Sequence, residues 1–229
     1  MMKDDFKYLP EKYRGEYQQV EYIRNNRGYI NTNLTPTNND IISATFRTTR
    51  DVWCPIILSE IGAKKISYYP RGNNIYYGAF GGSHSWTPYV GTSCPYNHWS
   101  HFKLSQDGLY VNGVEQAIVI STIDLFFPYK VFATGDNIDF IDLKNLKIKK
   151  DSQLIIDYIP VIRLSDNVAG MLNIAPYAYL VDGEDIFHRS ETSSDFIAGG
   201  VITLPKLSPN YFMQKKAAMI RSKKQTTTK

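Results

Sequence analysis

Between residues 17 and 200 the chain never sustains a helical period. Its apolar residues fall in short runs, most of them alternating with polar ones, and turn-forming residues cut each run off. A period of two marks a strand with one face buried and one face wet. Many such runs at close spacing predict two packed antiparallel sheets rather than a helical or α/β domain. The predicted strands are 17–23, 28–34, 40–48, 54–60, 65–69, 74–80, 99–105, 108–112, 116–120, 129–134, 138–141, 145–149, 153–159, 178–181 and 196–203. In Leu146-Lys147-Ile148-Lys149 the apolar side chains take one face and the lysines the other; Phe102 and Leu104 oppose His101 and Lys103 in the same way. Asn112-Gly113 after Leu109-Tyr110-Val111 predicts a tight hairpin, since both residues tolerate positive φ. Pro160 is expected to end a strand or sit at a sheet edge, because it has no N–H to donate. There is no internal repeat.

The chain has 229 residues, 43% of them hydrophobic, which suits one large β-domain with a full core. Charge divides it further. From Val201 onward it carries Lys206, Lys215, Lys216, Arg221, Lys223, Lys224 and Lys229 and no acid. That leaves 19 of the 26 Lys and Arg against all 22 acids, so the body is about −3 and the tail +7. Such asymmetry predicts an attachment arm. The expected organisation is an N-terminal arm or cap (1–16), a β-sandwich (17–200) and a basic tail (201–229) with a short helix over 210–224. Cys54 and Cys94 define no disulfide framework: one bridge or two packed thiols are both open. The first residues have no apolar core of a secretory signal, and no apolar run approaches the ~18 residues that span a membrane. The expectation is a chain made in a cytoplasm, with no membrane partner.

Residues 61–106 contain no Asp or Glu but are dense in Tyr, Trp, Gly and Asn. Flat aromatic faces receive the C–H faces of sugars, and amide or imidazole groups bond their hydroxyls. Asn74, Tyr76, Tyr77, His84, Trp86 and Tyr89 are therefore the candidate glycan contacts, with one of Tyr76 and Tyr77 expected to face in and the other out. The plainer reading is core and cross-strand pairing. His84, His98 and His101 do not converge as zinc ligands should, so no metal site is expected there. Asp136, Asp139 and Asp142 are a weak calcium candidate, short of the six to eight oxygens the ion takes, and read equally as solvated turn acids. No string of carboxylates suits a retaining glycosidase, which needs two about 5 Å apart. Nor is there a nucleophile triad, phosphate loop or cofactor motif. The expectation is no enzyme and no cofactor. In the tail, Phe212, Met219 and Ile220 among Lys206, Lys215, Lys216, Arg221, Lys223 and Lys224 read as an assembly anchor. Docking on an acidic protein surface is preferred there over nucleic acid.

Several stretches resemble one family in its own order. Tyr17–Leu34, YQQVEYIRNNRGYINTNL, is similar to an opening Tyr-x-x-(Leu/Val)-Glu-Tyr-Ile strand followed by a YIDTGI-like strand. Leu109–Gly113, LYVNG, matches a late hairpin, and Val131–Asp136, VFATGD, an LFARN-like strand. Asp157–Met171, DYIPVIRLSDNVAGM, resembles RDFIPxRxxDGVxGLYD, and Ser194–Gly200, SDFIAGG, a closing GxFxxG. The family is that of concanavalin A-like (laminin-G-like) jelly-roll domains of gut bacteria and their phages. Where it continues GLYDKVNNKFY, this chain departs with Gly170-Met171-Leu172-Asn173-Ile174. The resemblance implies a concanavalin A-like jelly roll in a structural protein of a phage virion, of crAss-like type: a head-fibre, head-decoration or tail-appendage component released by lysis. It implies capsid or fibre subunits as partners, a homo-oligomer, and contact with host or mucosal glycans. The alternatives are a carbohydrate-binding module of a bacterial glycan-processing protein and, disfavoured by the missing carboxylates, a glycoside hydrolase.

Overall fold

The computed structural model of the chain describes residues 8–50, 54–61, 63–72, 75–83, 85–88, 94–123, 126–132, 141–178 and 186–202; of Gly72, Ser85 and Trp86 it describes the backbone alone. After a 3-10 turn at Glu11–Tyr13 come β1 (Tyr17–Gln19), β2 (Ile23–Arg24), β3 (Ile30–Asn31), β4 (Ile41–Thr48), β5 (Ile57–Ile61), β6 (Lys64–Gly72), β7 (Ile75–Gly82), β8 (Ser85–Pro88) and β9 (Ser100–Ser105). They are followed by β10 (Gly108–Val111), β11 (Val114–Gln116), β12 (Val119–Ile120), β13 (Lys130–Val131), β14 (Ile141–Lys150), β15 (Gln153–Arg163), β16 (Val168–Asn173), β17 (Phe187–His188) and β18 (Ile197–Ala198).

The strands form an all-β sandwich compatible with a jelly roll. The larger sheet runs β11-β10-β9-β4-β14-β15-β16-β17, with β1 on β15 and β2 bridging β14 to β18. The smaller runs β12-β7-β6-β5-β13-β3, with β8 sharing the free edge of β7. Among the described residues pairing is antiparallel except between β12 and β7.

Alternation drives the packing. Ile42, Ala44 and Phe46 on β4, Phe102 and Leu104 on β9 and Leu146 and Ile148 on β14 are fully buried between the sheets, while the residues between them point away. Phe46, Phe102 and Tyr68 lock the two sheets at one point, with ring centroids 4.5 Å apart for Tyr68–Phe102 and 5.7 Å for Phe46–Tyr68. A second, smaller cluster lies on the outer face of the large sheet. There Leu9 packs with Ile159, Val161, Leu172 and Phe187, flanked by Tyr13 and Tyr17. The segment before β1 thus covers the β15–β16 half of that face. The outer face of β10, β9, β4 and β14 has no such cover among the described residues.

The Asn112-Gly113 hairpin forms as expected, with φ of 52° and 83°. Three expectations are corrected. Pro160 lies inside β15, a central strand, opposite Met171 of β16. An antiparallel residue points its N–H and C=O to the same side, and the Pro160 carbonyl accepts from Val20 N–H. The missing donor therefore faces Val20, just past the end of β1, and what is forgone is the single reciprocal bond to the Val20 carbonyl. Second, residues 168–173, for which no strand is expected, form β16. Its Gly170 is what hides the strand and what permits it: a Cβ there would lie 2.5 Å from the His188 carbonyl and 2.7 Å from the Phe187 ring. Third, strand bounds move: β8 and β17 are not expected from the sequence, the run predicted at 145–149 extends back to Ile141 as one strand, β14, where a separate run ending at 141 is expected, and the run predicted at 196–203 shrinks to β18. The predicted strand at 178–181 lies almost wholly outside the described residues. Cys54 and Cys94 are buried thiols not joined in a disulfide; Cys54 accepts from Asn25 Nδ2 at 3.1 Å.

Candidate functional site

The uncovered outer face of the large sheet carries a connected set of charged, polar and aromatic side chains. Its centre is a cross-strand row. Arg47 of β4 and Arg24 of β2 stand directly opposite Asp142 of β14, one on each side. Arg47 reaches the Asp142 carboxylate with Nε at 2.9 Å and Nη2 at 2.6 Å, and Arg24 with Nε at 2.6 Å and Nη2 at 3.0 Å. Such forked, charge-assisted contacts fix both guanidinium planes. Asp142 is 0% exposed, while both arginines keep part of their side chains in solvent. Hydrogen bonding to Asp142 holds the Arg24 guanidinium above its ordinary pKa, against the opposing effect of burial.

Aromatic rings frame this row. Arg47 lies 4.7 Å from the ring centroid of Trp99 and 5.1 Å from that of Tyr22; Arg24 lies 5.6 Å from Tyr22 and the Lys144 ammonium 5.4 Å from Trp99. Trp99, 37% exposed, is the open member. The position of Lys144 comes from a β-bulge. Leu143 pairs with Phe46 and Asn145 with Thr45, so Lys144 is the extra residue. Asn145 Oδ1 accepts the Thr45 N–H at 3.0 Å, which closes the ladder where the bulge opens it. Gly199 lies against Tyr22: a Cβ there would come within 2.6 Å of the ring.

Next along the strands, Tyr110, Lys103, Ser43, Lys147 and Asp157 form a second row across β10, β9, β4, β14 and β15. Lys103 lies 5.8 Å from the Tyr110 ring centroid. Between the two rows Thr45 and His101 pair by a 3.3 Å hydrogen bond. The floor of this face is thus small and hydroxylated, and its walls are cationic.

The residues singled out in the sequence lie elsewhere. Tyr76 and Tyr77 do alternate, but both are buried, at 0% and 5%. Tyr76 enters the core and its hydroxyl donates to the Ala117 carbonyl; burial pushes its pKa up to about 12. Tyr77 sits on the other face of β7, edge-on to Tyr69 at 6.3 Å. The backbone of Trp86 pairs with Tyr77. Asn74, His84 and Tyr89 lie outside the described residues, as do Asp136, Asp139 and the tail candidates Lys206, Phe212, Lys215, Lys216, Met219, Ile220, Arg221, Lys223 and Lys224. Asp142 is not a solvated turn acid: two arginines occupy its carboxylate oxygens. Among the described residues no group of His, Cys, Asp or Glu is placed to hold a metal ion. No helix among them is long and apolar enough to cross a membrane.

Comparison of the sequence with protein-family models and with curated proteins finds no match in either.

Proposed function

We propose that this chain is a non-enzymatic binding module, carried as a structural component of a phage virion of head-fibre, head-decoration or tail-appendage type, and that the outer face of its large sheet is the contacting surface. The observation that supports the binding role is the Arg47–Asp142–Arg24 row with Trp99 set against it. Its charged groups are immobilised before any ligand arrives, so little side-chain freedom remains to be lost on binding. The guanidinium, ammonium, indole and hydroxyl groups that line it suit recognition of a ligand. The virion setting rests on the jelly-roll resemblance of the sequence and on the basic tail.

Two measurements test this reading. The full chain is expected to bind polysaccharide in an array of neutral and charged glycans, and Trp99→Ala is expected to weaken that binding while the protein stays folded. Binding to no glycan, or hydrolysis of one, would refute the module. Mass spectrometry of purified particles is expected to detect the chain, and its absence from them would refute the virion placement.

A further inference from the structure

Resting on that reading, we infer that the ligand of the outer face is a polyanionic glycan, a polysaccharide bearing sulfate or carboxylate groups, laid across β10, β9, β4 and β14. Four observations carry this.

The first is charge. The rows on this face carry Arg24, Arg47, Lys103, Lys144, Lys147 and Lys149. Against them stand Asp142 and Asp157, both buried, Glu115 at the far edge on β11, and Asp107 and Asp151 at the end of the sheet beside Ile41. The body of the chain is slightly acidic, so this excess is a local concentration, not a reflection of overall composition. Positive charge gathered on one face draws anions and holds them in a salt-dependent way.

The second is the use to which the rings are put. Tyr22 and Trp99 carry Arg24, Arg47 and Lys144 on or beside their faces, and Tyr22 carries the Gly199 backbone as well. Rings employed in this way position cations. They do not offer the open platform that stacked bases or a neutral pyranose would need.

The third is spacing. Lys103 and Lys147 flank Ser43 in one row, so their strands are separated by about 10 Å, two strand spacings. Arg47 lies two same-face steps further along β4, past Thr45, and Lys144 lies three residues before Lys147 on β14. Anionic groups repeated along a stiff sugar chain suit such a ladder of separated cations.

The fourth is the floor. Ser43 and Thr45, on the strand between the cationic walls, let a chain approach the sheet and present hydroxyls to its sugar hydroxyls. A protein partner would want an apolar centre to this patch. Duplex nucleic acid would want an element that protrudes into a groove, which a flat sheet face lacks.

The test uses the full chain, its Lys103→Glu/Lys144→Glu variant and, as a milder change, Lys103→Gln/Lys144→Gln, all checked by thermal melting. The probes are heparin, uncharged dextran, oligothymidylate and poly-glutamate, each at low and moderate salt. Heparin is expected to bind most tightly, to weaken with salt, and to lose at least tenfold in affinity in the charge-reversed variant and less in the neutral one. Because both variants keep the basic tail, unchanged heparin binding by them would place the binding on the tail and overturn the inference. Tighter binding of oligothymidylate or poly-glutamate than of heparin would overturn it in favour of nucleic acid or an acidic protein. Binding of dextran with no preference for heparin would leave the module standing and refute its anionic specificity. Binding of neither polysaccharide would refute both.

Discussion

Asp142 shows how one residue organises the candidate surface. Fully buried and flanked by two arginines, it is what keeps Arg24 and Arg47 in fixed planes beside Tyr22 and Trp99. Breaking such a pair by removing the carboxylate leaves two guanidinium groups facing each other. We expect Asp142→Asn to cost about 3 kcal/mol of stability, read as a lower urea midpoint, and to change Trp99 fluorescence. An unchanged midpoint would show that the row is ornamental. Tyrosines make a second residue-level prediction. Burial, reinforced by Asp40, holds the Tyr129 hydroxyl well above its ordinary pKa, and burial raises Tyr76 to about 12 against the opposing hydrogen bond with Thr87. A group whose folded pKa lies above its unfolded value of about 10 stabilises the fold fully below that pH. That contribution is lost as pH rises from about 10 toward the folded values. Stability should therefore hold up to about pH 10 and fall beyond it. Alkaline titration followed at 295 nm should show tyrosines that ionise only as the fold is lost. Smooth titration of every tyrosine near pH 10 would contradict this.

At the scale of elements, the segment before β1 is structural. Leu9, 1% exposed, is the wedge of the second cluster, and its N–H donates to Gln19 Oε1 at 2.7 Å. Leu9→Ala is expected to cost about 3 kcal/mol, measured by chemical denaturation. A domain cut at residue 17 should be destabilised by at least as much; equal stability of the cut and full chains would return 8–16 to the role of a loose arm. The closing strand makes a parallel case. Gly199→Ala forces a methyl into the Tyr22 ring and should destabilise by about 2 kcal/mol, with the larger effect on ligand binding. The sequence made the central strands legible where alternation is clean: β4 and β9 lie where period two places them, while β14 is legible only over 145–149, because the bulge at Lys144 breaks its period. It concealed β16 behind Gly170, whose lack of a side chain is a packing requirement set by Phe187 and His188, residues far away in the chain. It also concealed the course of β15 through Pro160, whose missing N–H falls at the end of β1 and forgoes one reciprocal bond to Val20.

For the whole molecule, the large sheet has one face in the core and the other divided between a cover and an open cationic surface. The acid-free stretch 61–106 pointed toward binding, and Trp99 and Lys103 belong to it. Its tyrosines Tyr68, Tyr69, Tyr76 and Tyr77, however, are spent on the core and on the small sheet. The remaining site residues come from strands far apart in sequence, β2, β4 and β14, and meet only through register, which no local pattern reveals. Lys144 was hidden further by the bulge that turns it outward. The most direct test is amine-reactive footprinting of the full chain with and without heparin, read by peptide mass spectrometry. Lys103, Lys144 and Lys147 are predicted to be protected, while Lys12, Lys64 and Lys130 stay reactive. Protection confined to Lys206, Lys215, Lys216, Lys223 and Lys224, with Lys103 and Lys144 fully labelled, would contradict the assignment of the outer face as the ligand surface.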